Sequence, residues 1–323
     1  MLPAIAIRDL TKRFGTLAAV DSLSLEIGEG EVFGLLGPNG AGKTTTLLML
    51  TTLIPPSSGT ASVGGYDIVR DPDRVRASIG IVFQDPSSDE TLTGYENLKL
   101  HGLLYGMPAN LREERINDVL ALVELTDRRD EKVKRYSGGM RRRLELARGL
   151  MHHPKILFLD EPTLGLDPQT REHIWEYIRR LAQEKKITII LTTHYMDEAD
   201  RLCNRLAIID HGKIAKLGTP QELKRELGGD IIHLRAPGCD PAVFRTLPFV
   251  RDARTEGDGI SITVQDAARH LQEVLNRAGT VEAVEVRPVT LEDVFLHTTG
   301  RGIREGPAEG SWAEKVMAAG TRR

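Results

Sequence analysis

The chain has 323 residues, 40% of them apolar, 28% charged and 5% aromatic, with a formal net charge of −3. That length allows roughly two domains and a sizeable core, while the charge balance gives no support to wholesale nucleic-acid binding and leaves only a local patch such as Arg141 to Arg143 for it. Cys203 and Cys239 fit no metal or redox spacing, which favours two reduced thiols in a cytosolic protein.

The opening stretch, MLPAIAIRDL, lacks a basic leader and a cleavage site and reads as a strand rather than a signal peptide. No apolar run approaches the ~18 residues of a membrane span, so the chain is expected to meet a membrane only through a partner. To about residue 30 the pattern is of antiparallel strands, AIAIRDL and SLSLEIG. Short apolar runs then recur between helical stretches: VFGLLG (32–37), IGIVFQ (79–84), KILFLDEP (155–162) and ITIILTTH (187–194). Near-continuous apolar strands suit a parallel sheet buried on both faces, with ligands at the carboxyl ends of the strands.

Between about 90 and 150 the strand pattern stops. Asn110 and Glu113 predict a capping-box helix start, and Ile116, Val119, Leu120 and Val123 follow at helical spacing, which makes this a helical insert in an α/β core. RLAIIDHGKIAKLG (205–218) predicts a hairpin turning at Asp210–Lys213; TPQELKREL predicts a short helix, and Gly228-Gly229 a boundary. Beyond it the expected order is strand 230–236, short helix 241–247, strands 250–255 and 259–264, helix 266–278 and strand 281–287. That is the βαββαβ pattern of a ferredoxin-like domain. A helix over 290–300 follows, with Thr290 as N-cap and Asp293 in its first turn, and the tail 301–323 is expected to be mobile.

GPNGAGKT follows a buried strand and opens a helix, the context that a G-x-x-x-x-G-K-[ST] phosphate loop requires. Gly37 and Gly42 let backbone N–H groups approach phosphates, Lys43 supplies a point charge to the β/γ-phosphates, and the Thr44 hydroxyl suits Mg²⁺. Asp160 and Glu161 end an apolar strand, where two adjacent buried carboxylates call for a cation or donors. Asp160 suits Mg²⁺ through water and Glu161 the polarisation of an attacking water; taken alone, the pair also suits helix capping near Pro162. Gln84 and His194 are polar where strands run out towards the ligand edge, though an isolated histidine there is more often structural and Gln84 alone is open.

Ser137, Gly138 and Gly139 open a second phosphate-seeking helix, on the insert. By itself this is a capped basic helix. Its place about twenty residues ahead of LFLDE implies instead that it serves the phosphate loop of another subunit, two chains facing head-to-tail around two nucleotides.

Together these residues resemble the ATP-binding cassette (ABC) ATPases over residues 4 to about 228. Gly37, Asn39, Gly40, Ala41, Gly42, Lys43, Thr44 and Thr45 match Walker A, Gln84 the Q-loop, Tyr136 to Met140 the signature, Ile156 to Glu161 Walker B, Leu166-Asp167 the D-loop and His194 the switch histidine. Phe14 takes the place of the family's adenine-stacking aromatic, commonly a tyrosine. The usual LSGGQ reads YSGGM, which loses a glutamine contact and keeps the serine hydroxyl and glycine amides. A narrower resemblance, carried by LTGYENLKLHGLLYGMP, YSGGMRRRLELARGL and TLEDVFLHTTGR, is to the daunorubicin-resistance type of ATPase subunit, which works with a separate ABC-2 membrane permease.

The resemblance implies an α/β P-loop NTPase fold over 1–228: a mixed sheet core, an antiparallel β subdomain and a helical subdomain at about 86–150, followed by a ferredoxin-like accessory domain at 229–300. It implies ATP with Mg²⁺ held by Thr44, Gln84 and, through water, Asp160. Glu161 becomes the general base, His194 its support against the γ-phosphate, and Ser137, Gly138 and Gly139 act in trans beside the D-loop Asp167. The implied partners are a second copy and an ABC-2 permease, with no nucleic acid, at the cytoplasmic face of the cell membrane. The implied cargo is an exported drug, antibiotic or lipid-like compound. A groove bordered by residues 85–105, with Glu96 in it, is expected to receive a permease helix, and TLEDVFL either docks on a neighbour or packs within its own chain. A soluble ABC ATPase acting on DNA or ribosomes is the alternative, opposed by the single P-loop and the lack of a coiled-coil heptad run.

Overall fold

The computed structural model describes residues 3–300, and by their contacts these part between Ala215 and Lys216 into two units. The first unit begins with β1 (Ile5–Phe14) and β2 (Leu17–Ile27), the expected antiparallel pair. Then come β3 (Val32–Leu36), α1 (Lys43–Leu50), β4 (Ser58–Val63), β5 (Tyr66–Asp67), α2 (Pro72–Ser78) and β6 (Ile79–Val82). The insert supplies α3 (Gly94–Leu104), α4 (Ala109–Leu122) and α5 (Gly138–Leu150). The core resumes with β7 (Ile156–Asp160), α6 (Pro168–Lys185), β8 (Thr188–Thr193), α7 (Met196–Leu202), β9 (Arg205–Asp210) and β10 (Lys213–Gly218).

Every residue of β3, β7 and β8 is buried, as strands covered on both faces must be. They lie in a sheet of order β10-β9-β3-β8-β7-β6, in which β9, β3, β8, β7 and β6 run parallel to one another. The second sheet, β2-β1-β4-β5, is antiparallel. One core of Phe33, Leu35, Leu47 and Ile190 with Ile5, Leu25 and Val63 joins the two sheets. The β9–β10 turn places both central residues in the left-handed region, His211 at φ 48° and Gly212 at φ 76°, as a two-residue hairpin favours.

The insert corrects one expectation. No capping box forms at Asn110: α4 starts after Pro108, whose fixed φ of −55° and extended ψ set the N-cap, and whose carbonyl accepts from Arg112 N at 2.8 Å. Glu113 instead accepts from the Tyr95 hydroxyl at 2.8 Å. The insert's capping box is on α3, between Thr93 and Glu96.

The second unit holds α8 (Pro220–Leu227), β11 (Asp230–Arg235), β12 (Val250–Glu256), β13 (Gly259–Val264), α9 (Ala267–Ala278), β14 (Ala283–Pro288) and α10 (Leu291–Thr299). Its sheet, β12-β13-β11-β14, is antiparallel throughout. Hence β11 and β12 run the same way with β13 between them, and β13 and β14 run the same way around β11. The helix expected over 241–247 is only a 3₁₀ turn at Pro241–Val243, because its amides close i−3 bonds, Val243 to Asp240, Phe244 to Pro241 and Leu247 to Phe244. Phe244 and Leu247 enter the core with Ile232, Ile262 and Val274.

The helix α8 belongs with this unit because it packs on α10, so the division falls ahead of Gly228-Gly229, which here join α8 to β11. Thr290 and Asp293 cap α10 as expected, and its apolar residues Leu291, Val294 and Phe295 are buried. The TLEDVFL helix is thus packed within its own chain. The expected mobile tail lies outside the described residues. Among the described residues no helix is long and apolar enough to cross a membrane.

Candidate functional site

The loop between β3 and α1 is shaped by two glycines with no room for a side chain. A Cβ on Gly37 would fall 2.3 Å from Ile209 O, and one on Gly42, at φ 104°, 2.3 Å from Ala19 O. Gly40 lies between them at φ 80°, and Asn39 and Ala41 complete the turn. No side chain caps α1 and its first turn holds no acidic residue, so its opening amides face the loop as a site for an anion. Thr44 and Thr45 follow on that first turn, both buried.

Lys43, only 2% exposed, donates to Gly37 O at 2.8 Å and Pro38 O at 3.1 Å, and stands 3.4 Å from Glu161 Oε1. The Thr44 hydroxyl donates to Asp160 Oδ1 at 3.1 Å. Thr192, at the end of the neighbouring β8, donates to the same oxygen at 2.5 Å. Thr192 also receives the Glu161 amide, on its hydroxyl at 3.1 Å and its carbonyl at 3.2 Å. Its hydroxyl therefore ties Asp160 and Glu161 together. No motif spacing points to it; the only signal was its place two residues before His194.

His194 Nδ1 lies 2.7 Å from Glu161 Oε2, and facing a carboxylate oxygen this nitrogen donates. Glu161 is 6% exposed and has φ 47°. Burial alone pushes its carboxyl up; the hydrogen bond from His194 and the charge of Lys43 outweigh that, and the group is held below the ordinary carboxylate range. The carboxylate is thus ionised at neutral pH.

Gln84 is half-buried two residues beyond the end of β6, slightly past the strand that the sequence suggested. Phe14 ends β1, partly buried against the core, with the Lys12 ammonium 5.3 Å from its ring centroid. Asp167 caps α6, accepting from Thr170 N at 3.0 Å and from its hydroxyl at 2.6 Å, which holds its carboxyl low. Ser137 caps α5 through Met140 N at 3.2 Å. Gly138 and Gly139 pack beside Leu166 and Thr170, so the start of α5 meets α6 and the loop ahead of it in its own chain.

The Arg141–Arg143 patch does not exist as a free surface. Arg141 pairs with Glu90 at 2.5 Å and Arg143 with Glu124 at 3.6 Å, while Arg142 is buried and donates to backbone carbonyls. Glu198, which no motif marks, is fully buried on α7 and accepts from the Thr163 hydroxyl at 2.8 Å and Trp175 Nε1 at 3.0 Å.

Chemically, the carboxyl ends of β3, β7 and β8 gather an ammonium, a carboxylate–hydroxyl pair and an ionised carboxylate backed by an imidazole. Among the described residues no group of three or more His, Cys, Asp or Glu gathers to hold a metal unaided. One carboxylate beside one hydroxyl is the oxygen donor set of Mg²⁺ that keeps water and phosphate ligands.

Residues 20–164 match the family described as ABC transporter, and 218–299 the family described as ATP-binding protein DrrA1-3-like, C-terminal domain. The chain is 39% identical to the linearmycin resistance ATP-binding protein LnrL of Bacillus subtilis, over 92% of this chain and 98% of that one. It is 38% identical to the daunorubicin/doxorubicin resistance ATP-binding protein DrrA of Streptomyces peucetius, over 98% of each. It is 40% identical to the Nod factor export ATP-binding protein I of Cupriavidus metallidurans, over 94% of this chain and all of that one. Among solved structures, the dimeric post-hydrolysis state of the ATP-binding cassette MJ0796 bound to ADP and Pi is similar with a TM-score of 0.60 at 28% identity, over 67% of this chain and 98% of that one. The cbiO1 subunit of Clostridium perfringens is similar with a TM-score of 0.65 at 29% identity, over 70% and 92%.

Proposed function

This chain belongs to the ABC transporter ATP-binding family, and we propose from that premise that it is an ATP-hydrolysing subunit that dimerises around two ATP molecules and drives a separate ABC-2 type permease. The observation that carries the reading is the cluster of buried Lys43, Thr44, Asp160 and Glu161 with the partly buried His194 at the carboxyl ends of the parallel strands. ATP lies between the Walker A loop of one chain and the signature helix of the other. Gly37, Asn39, Gly40, Ala41, Gly42 and Thr45 cradle its phosphates with backbone and hydroxyl donors, Lys43 offsets the β/γ charge, and Phe14 stacks on the base. The donor set fits Mg²⁺, with Thr44, Gln84 and, through water, Asp160 to hold it; bound there, it neutralises charge on the phosphates.

Glu161, ionised and aimed by His194, takes the proton of the attacking water, whose oxygen bonds to the γ-phosphorus as the bond to the β–γ bridging oxygen breaks. Ser137, Gly138 and Gly139 of the partner copy complete the donors to the γ-phosphate, and Asp167 faces them across the dimer. The solved dimer with ADP and Pi supports this two-sided arrangement.

Outside the site, α3 and its C-terminal turn expose Leu100, Leu103, Leu104 and Tyr105, with Leu111 exposed at the start of α4. An apolar face there supports the docking of a permease helix, at the cytoplasmic face of the cell membrane, with Gln84 relaying the state of the phosphate. The names of relatives combine resistance and export, which favours an exported drug, antibiotic or lipid-like cargo. Pairing of Arg141 and Arg143 and burial of Arg142 speak against action on DNA or ribosomes.

The test is Glu161→Gln. It keeps shape and removes the base, so steady-state hydrolysis falls by about 10²–10⁴, while ATP is retained and a stable dimer accumulates in light scattering. Near wild-type hydrolysis by the variant would reject Glu161 as base.

A further inference from the structure

Arg142 stands on the second turn of α5, five residues after Ser137. It is 7% exposed, and each nitrogen of its guanidinium meets a backbone carbonyl of another segment. Nε donates to Pro162 O at 2.7 Å, Nη1 to Phe83 O at 2.5 Å, and Nη2 to Asp160 O at 3.0 Å and Glu161 O at 3.3 Å. The first of those segments follows β7 and contains the general base; the second follows β6 and contains Gln84.

None of these four acceptors is charged. What the segment requires of Arg142 is therefore its rigid planar fork as well as its charge, which Glu145, Asp160, Glu198 and Glu161 offset from nearby. Burial lowers the guanidinium to about 10, which leaves it protonated at neutral pH.

Glu161 is a residue that needs holding. At φ 47° it occupies the left-handed region, where a non-glycine residue persists only if its surroundings over-determine it. Thr192 holds its amide and Arg142 holds its carbonyl, so the strained peptide is pinned at both ends. Through the same guanidinium the pinned residue is joined to the helix that Ser137 caps.

We propose that Arg142 is the positioning residue of the ATPase: it locks Glu161 in its left-handed conformation and fastens the Gln84 turn and the signature helix to it. The base of one nucleotide site and the donors that the same chain offers to the partner's site then move as one body. This rests on the reading above, with Glu161 as base and Ser137 acting across the dimer.

Two variants separate geometry from charge. Arg142→Met keeps bulk without donors; Arg142→Lys keeps the charge without the fork. In steady-state assays Arg142→Met lowers kcat by about tenfold to a hundredfold, the scale of a misplaced catalytic group, with KM for ATP within about threefold because the phosphate loop is untouched. Arg142→Lys stays well below wild-type kcat. Unchanged kcat in Arg142→Met, or full rescue by lysine, overturns the proposal. Should Arg142→Met fail to fold in a thermal melt, Arg142→Lys alone decides, wild-type kcat in it being the refutation.

The link to the signature helix is read with turnover blocked. In a Glu161→Gln background, adding Arg142→Lys raises the ATP concentration for half-maximal dimerisation by about fivefold or more, roughly 1 kcal/mol. Dimerisation at the same ATP concentration would sever that link. Failure of the wider reading has a different signature: Glu161→Gln by itself would hydrolyse ATP normally or would not dimerise with ATP.

Discussion

Two buried glutamates 37 positions apart are driven in opposite directions by their neighbours. Glu161 has an imidazole and an ammonium against it and is held low. Glu198 has only neutral donors, so burial raises its carboxyl above the ordinary 4.5, and the charge of Glu161 adds to the rise. A carboxyl raised in the folded state contributes stability that is fully present below about pH 4.5 and is lost as pH rises through its folded value. Glu198→Gln keeps the acceptor for Thr163 and Trp175 and removes the titration. Its melting temperature therefore exceeds that of the wild type at pH 7.5, and the two converge near pH 4. A series of melts across that range checks it; a gap that does not change with pH refutes it. Thr192→Val tests the hydroxyl that joins Asp160 to Glu161. It removes one donor from Asp160 Oδ1, which Thr44 still reaches, and one acceptor from the Glu161 amide, which keeps the Thr192 carbonyl, at a cost of about 1–3 kcal/mol, seen in urea unfolding, together with a lower kcat at unchanged KM.

On α3, Glu96 and the exposed leucines differ in what they do. Glu96 accepts from Thr93 N at 2.8 Å and closes the capping box of its own helix, so its reversal to lysine breaks that box and costs about 1 kcal/mol. It is a poor probe of coupling. Leu104 is 76% exposed at the end of the same helix and has no such duty. In a system reconstituted with the permease, Leu104→Asp cuts transport by about fivefold or more while basal ATP hydrolysis by the purified protein stays within about twofold, the pattern of a lost apolar anchor. Equal loss of both activities rejects the docking role. The parallel strands and the phosphate loop were legible because their causes are local: apolar runs for burial on both faces, glycines where Ile209 O and Ala19 O leave no space. The start of α4 was misread because Pro108 sets the cap by backbone geometry alone. The 241–247 helix was misread because burial of Phe244 accompanies a tighter i−3 turn. Arg142 was invisible as a fastener, since its acceptors are carbonyls 18 to 59 positions away and a carbonyl has no sequence signature.

At the scale of the molecule, the two units carry separate cores, one around Phe33, Leu47 and Ile190, the other around Ile232, Phe244 and Ile262. The residues proposed to bind nucleotide all belong to the first. A ligand stabilises only what binds it, by about 2.7 kcal/mol at a hundredfold excess over its Kd. Two cores therefore predict two calorimetric transitions, of which Mg-ATP raises one. Phe244→Ala identifies the other: truncating a fully buried phenylalanine costs about 3–5 kcal/mol and lowers the transition that ATP leaves unmoved. Light scattering on the same variant then reads whether the second unit steadies the ATP-bound dimer. If it does, the ATP needed for dimerisation rises although the first transition still responds to nucleotide. If a single transition moves under both ATP and Phe244→Ala, the units unfold together, and the second core is part of the energetic support of the ATPase site itself.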